Sequence, residues 1–226
     1  MISSNKRIIA IEGLDCVGKT TYLSIFKKTI KTQVLKNPVF DALYDRRNVI
    51  FEHFPTDGSE ARRIRKTETN VDEKALQKLM MEDLVQRIDK FCNQDKQDIM
   101  ICDRFLFSNY LYSFDMTLSQ FIIELSSIWG QYNLPLYDIF IKNHVSTIVV
   151  DIPEEERLKR LFLNYDREQR DSNETEEYQQ ALFDRYKKMI KEEFNSITKT
   201  FNLSFWIPPE YHQITSNGGS TYEHKK

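Results

Sequence analysis

A chain of 226 residues with 40% hydrophobic side chains is long enough for one large α/β domain and rich enough to fill its core. A formal net charge of −2 speaks against a general nucleic-acid binder, which would carry an excess of Lys and Arg. The three cysteines, Cys16, Cys92 and Cys102, make no CxxC pair, and no apolar run approaches the ~18 residues that span a bilayer. A cytoplasmic protein with free thiols, not bound to a membrane, is the expectation.

Short apolar runs alternate with stretches of helical period, the pattern of a parallel sheet wrapped by helices. The first run, Ile8–Ile11, ends at Glu12-Gly13, and a helix should start at Lys19 with Leu23, Phe26 and Ile30 on one face. Residues 48–51 read as a second strand. Asn70-x-x-Glu73 resembles a capping box, opening a helix with Leu76, Met80, Leu84 and Ile88 in a stripe. Ile99–Cys102 reads as a third strand buried on both faces and ending at Asp103. Thr117-x-x-Gln120 caps a helix carrying Phe121, Ile122, Leu125, Ile128 and Trp129, which stops at Gly130. Thr147–Val150 is a fourth strand, and Pro153 suits the first turn of the next helix. Residues 163–175 are intensely charged and read as a mobile segment, followed by a helix with Leu182, Tyr186, Met189, Ile190 and Phe194. A last strand is expected within 206–215, before a polar tail over 216–226. No linker or repeat divides the chain, so residues 1–226 are expected to form one domain.

The strongest motif is Gly13-Leu14-Asp15-Cys16-Val17-Gly18-Lys19-Thr20, which fits GxxxxGK[ST] between a buried strand and an amphipathic helix. Amide hydrogens of such a loop converge on phosphate oxygens, helped by the dipole of the following helix. Lys19 would reach the β- and γ-phosphates of ATP, and the Thr20 hydroxyl would ligate Mg²⁺. Asp103-Arg104-Phe105 follows the third strand, where a carboxylate lies beside the loop of a doubly wound sheet and can hold the metal. Arg104 offers a planar fork for a second phosphate.

These residues resemble the thymidylate kinase family. Glu12-Gly13-Leu14-Asp15 running into Gly18-Lys19-Thr20-Thr21 is similar to that family's opening. Asp103 to Asn109 through Tyr112 resembles its nucleotide-pocket segment, and Phe54-Pro55-Thr56-Asp57-Gly58 leading to Ile64-Arg65 resembles its stretch after the second strand. The resemblance implies a P-loop NTPase-type fold with a doubly wound, parallel, five-stranded sheet, and a homodimer formed through helix faces. It implies Asp15 by the acceptor sugar, Arg104 on the acceptor phosphate, Ser108 and Asn109 facing the base, and Tyr112 against the 2′ carbon. Phe54, Pro55 and Arg65 would join them on the acceptor side.

Where some family members carry an arginine in the loop, this chain has Cys16. The transferred phosphoryl group needs a cation. Arg160, Arg167 and Arg170, in or beside the expected lid at 163–175, are the candidates, the last two foremost. Near the places of the family's base-stacking phenylalanine and base-reading arginine stand Met80 and Leu84, with Arg87 one turn on. The expectation is transfer of the ATP γ-phosphate to a deoxynucleoside monophosphate, foremost dTMP. The alternatives are a deoxynucleoside kinase and a degenerate kinase domain that binds nucleotide without turnover.

Overall fold

The computed structural model describes residues 6–32, 49–67, 72–94, 99–132, 145–163, 175–193 and 204–206. Among the described residues there are four full strands: β1 (Arg7–Glu12), β2 (Val49–His53), β3 (Ile99–Asp103) and β4 (Val145–Val149). A three-residue strand, β5 (Ser204–Trp206), adds to one edge, giving the order β2-β3-β1-β4-β5 with every pairing parallel. The expected five-stranded sheet is thus four full strands and a short edge piece. That piece overlaps the span expected for it only at Trp206, and residues 207–226 fall outside the described part.

The core strands β1 and β3 are buried almost end to end, as parallel strands covered on both faces must be. Each isoleucine so enclosed stabilises the fold by about 1.5–3 kcal/mol relative to exposure. The helices are α1 (Lys19–Thr32), α2 (Glu60–Thr67), α3 (Glu73–Asn93), α4 (Leu106–Leu111), α5 (Leu118–Trp129), α6 (Glu154–Leu163) and α7 (Glu176–Lys188). A π turn, Met189–Glu193, extends α7.

Helix ends are set by specific side chains. Asp72, not the expected Asn70, caps α3, accepting from the amides of Lys74 at 3.0 Å and Ala75 at 3.2 Å. At the other end of α3, buried Lys6 donates to the carbonyls of Phe91 and Gln94, a cation where the helix dipole is negative. The Thr117 capping box of α5 forms as its sequence predicts. Arg185 on α7 donates to the carbonyls of Tyr110, Ser113, Phe114 and Met116, fastening the connection between α4 and α5.

On α5, Phe121, Leu125, Ile128 and Trp129 are buried in the chain's own core, while Ile123 is exposed. The segment expected as a lid lies outside the described residues except for its ends, which close α6 and cap α7 at Thr175. Among the described residues no helix is long and apolar enough to cross a membrane.

Candidate active site

The buried run of β1 delivers Glu12 and Gly13 to the carboxyl end of the sheet, between β3 and β4. Gly13 has φ +137°, and a Cβ there would lie 2.2 Å from the Val150 carbonyl oxygen, so the loop can start only with glycine. Gly18, at φ +101°, closes the loop, and α1 begins at Lys19 with no acidic residue in its first turn. The positive end of that helix is therefore left for an anion. Lys19 is buried and its ammonium donates to the carbonyls of Gly13 at 2.8 Å and Leu14 at 2.5 Å. Burial, with Arg104 repelling beside it, lowers its pKa to about 8 against the pull of Asp15, Asp103 and Glu12.

Glu12 is buried as well. It accepts from the amides of Phe107 at 2.9 Å and Ser108 at 3.2 Å and from the Ser108 hydroxyl at 2.5 Å. Burial raises its pKa to about 7, although these hydrogen bonds and Lys19 act in the opposite direction.

Directly after β3, Arg104 adopts φ 68°, an uncommon conformation for a residue with a Cβ, while its amide donates to the Ile11 carbonyl at 2.9 Å. The turn aims its guanidinium at Asp15 Oδ1, with the Tyr112 ring 5.2 Å from its centre. Tyr112 donates its hydroxyl to Asp15 Oδ2 at 2.6 Å. Burial disfavours charge on Arg104, yet Asp15 and Tyr112 more than offset this and raise its pKa. Asp15 of the loop and two residues some ninety positions later, Arg104 and Tyr112, thus form one cluster beside Lys19, whose ammonium lies 3.9 Å from Asp15.

A cavity of about 800 Å³ opens on the β2 side, lined by Thr20, His53, Thr56, Asp83 and Asp103 among others. Asp103 is buried, its Oδ1 has no hydrogen-bond partner, and Thr20 shares the cavity with it. That orphaned oxygen fits a cation. Among the described residues no group of three or more His, Cys, Asp or Glu could hold a metal alone.

Residues 11–204 match the family profile described as Thymidylate kinase. The chain belongs to the thymidylate kinase family. It is a kinase, a phosphotransferase that acts on nucleoside monophosphates and takes a nucleotide as donor. No individual curated protein matches the sequence. Among solved structures, the fold is similar to a thymidylate kinase from Candida albicans, described as having broad substrate specificity. The two share 15% identity and a TM-score of 0.51, over 89% of this chain and 83% of that one. A thymidylate kinase from Ehrlichia chaffeensis is also similar, at 15% identity and a TM-score of 0.49 over 93% of each chain.

Within this thymidylate kinase family member, the structure gathers Asp15, Lys19, Arg104 and Tyr112 as the sequence expects, with Thr20 and Asp103 at the neighbouring cavity. Several other candidates sit elsewhere. Ser108 turns inward to Glu12, and Asn109 donates to the Phe105 carbonyl at 3.0 Å from a buried position, so neither faces an open pocket. Met80 is buried against Ala61 and Leu76, between α2 and α3. Arg87 lines the cavity but pairs with Glu52. Leu84 is part of the main core. Phe54 is buried, its ring 6.3 Å from that of Phe105, and Pro55 beside it accepts from Arg62 through its carbonyl. Arg65 lies on α2, and Arg167 and Arg170 lie outside the described residues.

Asp83 escaped the sequence reading, and Arg160, a lesser candidate there, lies at the loop. Asp83 on α3 accepts from the Thr56 amide at 2.7 Å and from its hydroxyl, anchoring the loop after β2. Arg160 on α6 places a guanidinium nitrogen 3.6 Å from where a Gly18 Cβ would stand, while its Nε donates to Glu156 at 2.9 Å. Among the described residues it is an arginine at the loop itself. Its position one turn before the end of α6 was the available signal.

Proposed function

We propose that this kinase transfers the γ-phosphate of ATP, with Mg²⁺, to a deoxynucleoside monophosphate, with dTMP the foremost acceptor. The observation that carries this reading is the cluster in which Arg104 and Lys19 flank Asp15 at the mouth of the phosphate loop. Two fixed cations so close together suit two phosphate groups, one from each substrate.

The engagement of Asp15 adds to the argument. Its oxygens meet Arg104 and Tyr112, so it is poorly placed to take a proton from an attacking hydroxyl. A monophosphate oxygen is already anionic at neutral pH and needs no base, only cations that hold it in line. A deoxynucleoside acceptor would need one.

In this reading the loop amides and Lys19 hold the donor's phosphates, and Arg104 aligns the acceptor phosphate while Tyr112 and Asp15 fix its sugar. Arg160 supplies positive charge that the loop lacks at Cys16, a role shared with Arg167 and Arg170 if these approach. Thr20 and Asp103 would hold Mg²⁺, which when bound neutralises charge on the donor phosphates. The two subunits of a homodimer would each carry a complete set of these residues.

An acceptor screen tests the proposal: ATP and Mg²⁺ with each common nucleoside monophosphate and with thymidine. Consumption of dTMP ahead of the others supports it. Consumption of thymidine instead identifies a nucleoside kinase, and binding of ATP without transfer to any acceptor identifies a degenerate domain.

A further inference from the structure

The end of β2 places an imidazole beside the candidate metal carboxylate. His53 and Asp103 are register partners that close their adjacent strands, and the Phe54 amide donates to the Asp103 carbonyl at 3.0 Å. This pairing brings His53 Nδ1 to 3.3 Å from Asp103 Oδ2. The other carboxylate oxygen, Oδ1, is buried without a partner, although the Asp103 side chain as a whole is only 8% exposed. A buried acceptor left without a donor is uncommon, and a cation is one way to satisfy it. His53, Asp103 and Thr20 line the same cavity, and His53 is open enough to turn toward an incoming ion.

We propose that His53 is a further ligand of the metal site, its Nδ1 joining the Asp103 carboxylate so that the ion meets a mixed nitrogen and oxygen donor set. Adjacent ligands on an ion with bonds of about 2.1 Å stand roughly 3 Å apart, close to the spacing between the two side chains. Mg²⁺ favours oxygen donors, whereas imidazole suits the later transition ions. The mixed pair therefore shifts preference toward Co²⁺ or Zn²⁺ relative to an all-oxygen site. The proposal rests on the phosphoryl-transfer reading only in taking Asp103 to face the nucleotide's phosphates.

The test uses the full chain with ADP and Mn²⁺, read by pulsed EPR for a directly bound ¹⁴N nucleus. The wild-type protein should show the imidazole coupling, and His53→Gln should lose it with an unchanged melting temperature. Co²⁺ affinity in the presence of ADP should fall about tenfold in His53→Gln while Mg²⁺ affinity changes less than about twofold. Absence of the coupling in the wild type, or its survival in His53→Gln, overturns the proposal. Equal losses of Co²⁺ and Mg²⁺ affinity also overturn it, by making His53 a residue that merely positions Asp103. If the acceptor screen shows transfer but no nitrogen coupling is seen, this inference alone fails. If the coupling is present but no acceptor is phosphorylated, the inference stands and the kinase reading of the substrate falls.

Discussion

The Tyr112 hydroxyl donates to Asp15 Oδ2 at 2.6 Å, tying the end of α4 to the phosphate loop. A steric role for this ring against the acceptor sugar and a positioning role for its hydroxyl can therefore be separated. Tyr112→Phe keeps the ring near Arg104 and removes the hydrogen bond to a charged partner, an interaction of about 1.5–3 kcal/mol. Its kcat/KM should fall roughly tenfold or more, with the preference for deoxyribose acceptors intact. Tyr112→Ala should lose rate and also let ribonucleotides compete. Rates with dTMP and with a ribonucleotide acceptor, measured on both variants, decide between the two roles.

Lys19 has a pKa of about 8, lowered first by burial and then by Arg104. Below that pH the free protein carries the ammonium, and above it the ammonium loses its proton. Anionic phosphates favour the charged form, so ATP affinity should decline as pH rises through about 8, by up to about tenfold per unit. Lys19→Ala should abolish this dependence and lower turnover by about 10²–10³-fold. Calorimetric titration of ATP between pH 7 and 9.5, in both proteins, checks the sign.

Glu12 titrates in the opposite sense to an ordinary ion-paired carboxylate. Burial raises it from 4.5 to about 7, so between those values the folded chain retains a proton that the unfolded chain has released. Its contribution to stability is complete below about pH 4.5 and is lost as pH rises toward 7, at up to about 1.4 kcal/mol per unit. Glu12→Gln should flatten that part of the profile in urea unfolding at a series of pH values. An unchanged slope would show that the group is charged throughout.

Gly13→Ala should destabilise the fold by at least about 2 kcal/mol, because the new methyl group meets the Val150 carbonyl and φ is unfavourable for alanine. Chemical denaturation without nucleotide measures it. A loss confined to ATP binding would mean the backbone can relax at this point.

Arg160→Ala tests the cation at the loop. Its partner Glu156 is half exposed, so the pair contributes at most about 1 kcal/mol and the melting temperature should barely move. Turnover should drop by about 10²-fold. Intact turnover would leave the charge to Arg167 or Arg170, which the companion variants Arg167→Ala and Arg170→Ala would reveal.

How far these features could be read in advance depended on whether they were local. Ile99–Asp103 reads as a buried strand because unbroken apolar character leaves no solvent face, and the Thr117 box is complete within four residues. Asp72 replaced Asn70 as a cap because both side chains can accept from amides, and only the actual start of the helix chooses between them. Met80 has the spacing of an apolar stripe, but spacing does not say whether a neighbouring helix or an open pocket covers it. Ser108 and Asn109 belong to a six-residue helix too short to leave a period, and the buried Glu12 that turns Ser108 inward lies some 95 residues earlier. Arg160 was legible as a cation beside the charged stretch, but its approach to Gly18 depends on the packing of α6, which the local sequence does not encode.

The loop's footing is stitched to both neighbouring strands: Arg104 donates to Ile11 on one side, and Val150 donates to Glu12 at 2.8 Å on the other. The loop after β2, on the proposed acceptor side, is held by contacts from helix side chains, Asp83 of α3 at Thr56 and Arg62 of α2 at Pro55. Evolution can rework that side one contact at a time, whereas a change to the donor's seat disturbs three strands together. Drift in which base is accepted, with the donor unaltered, is the history such a molecule permits.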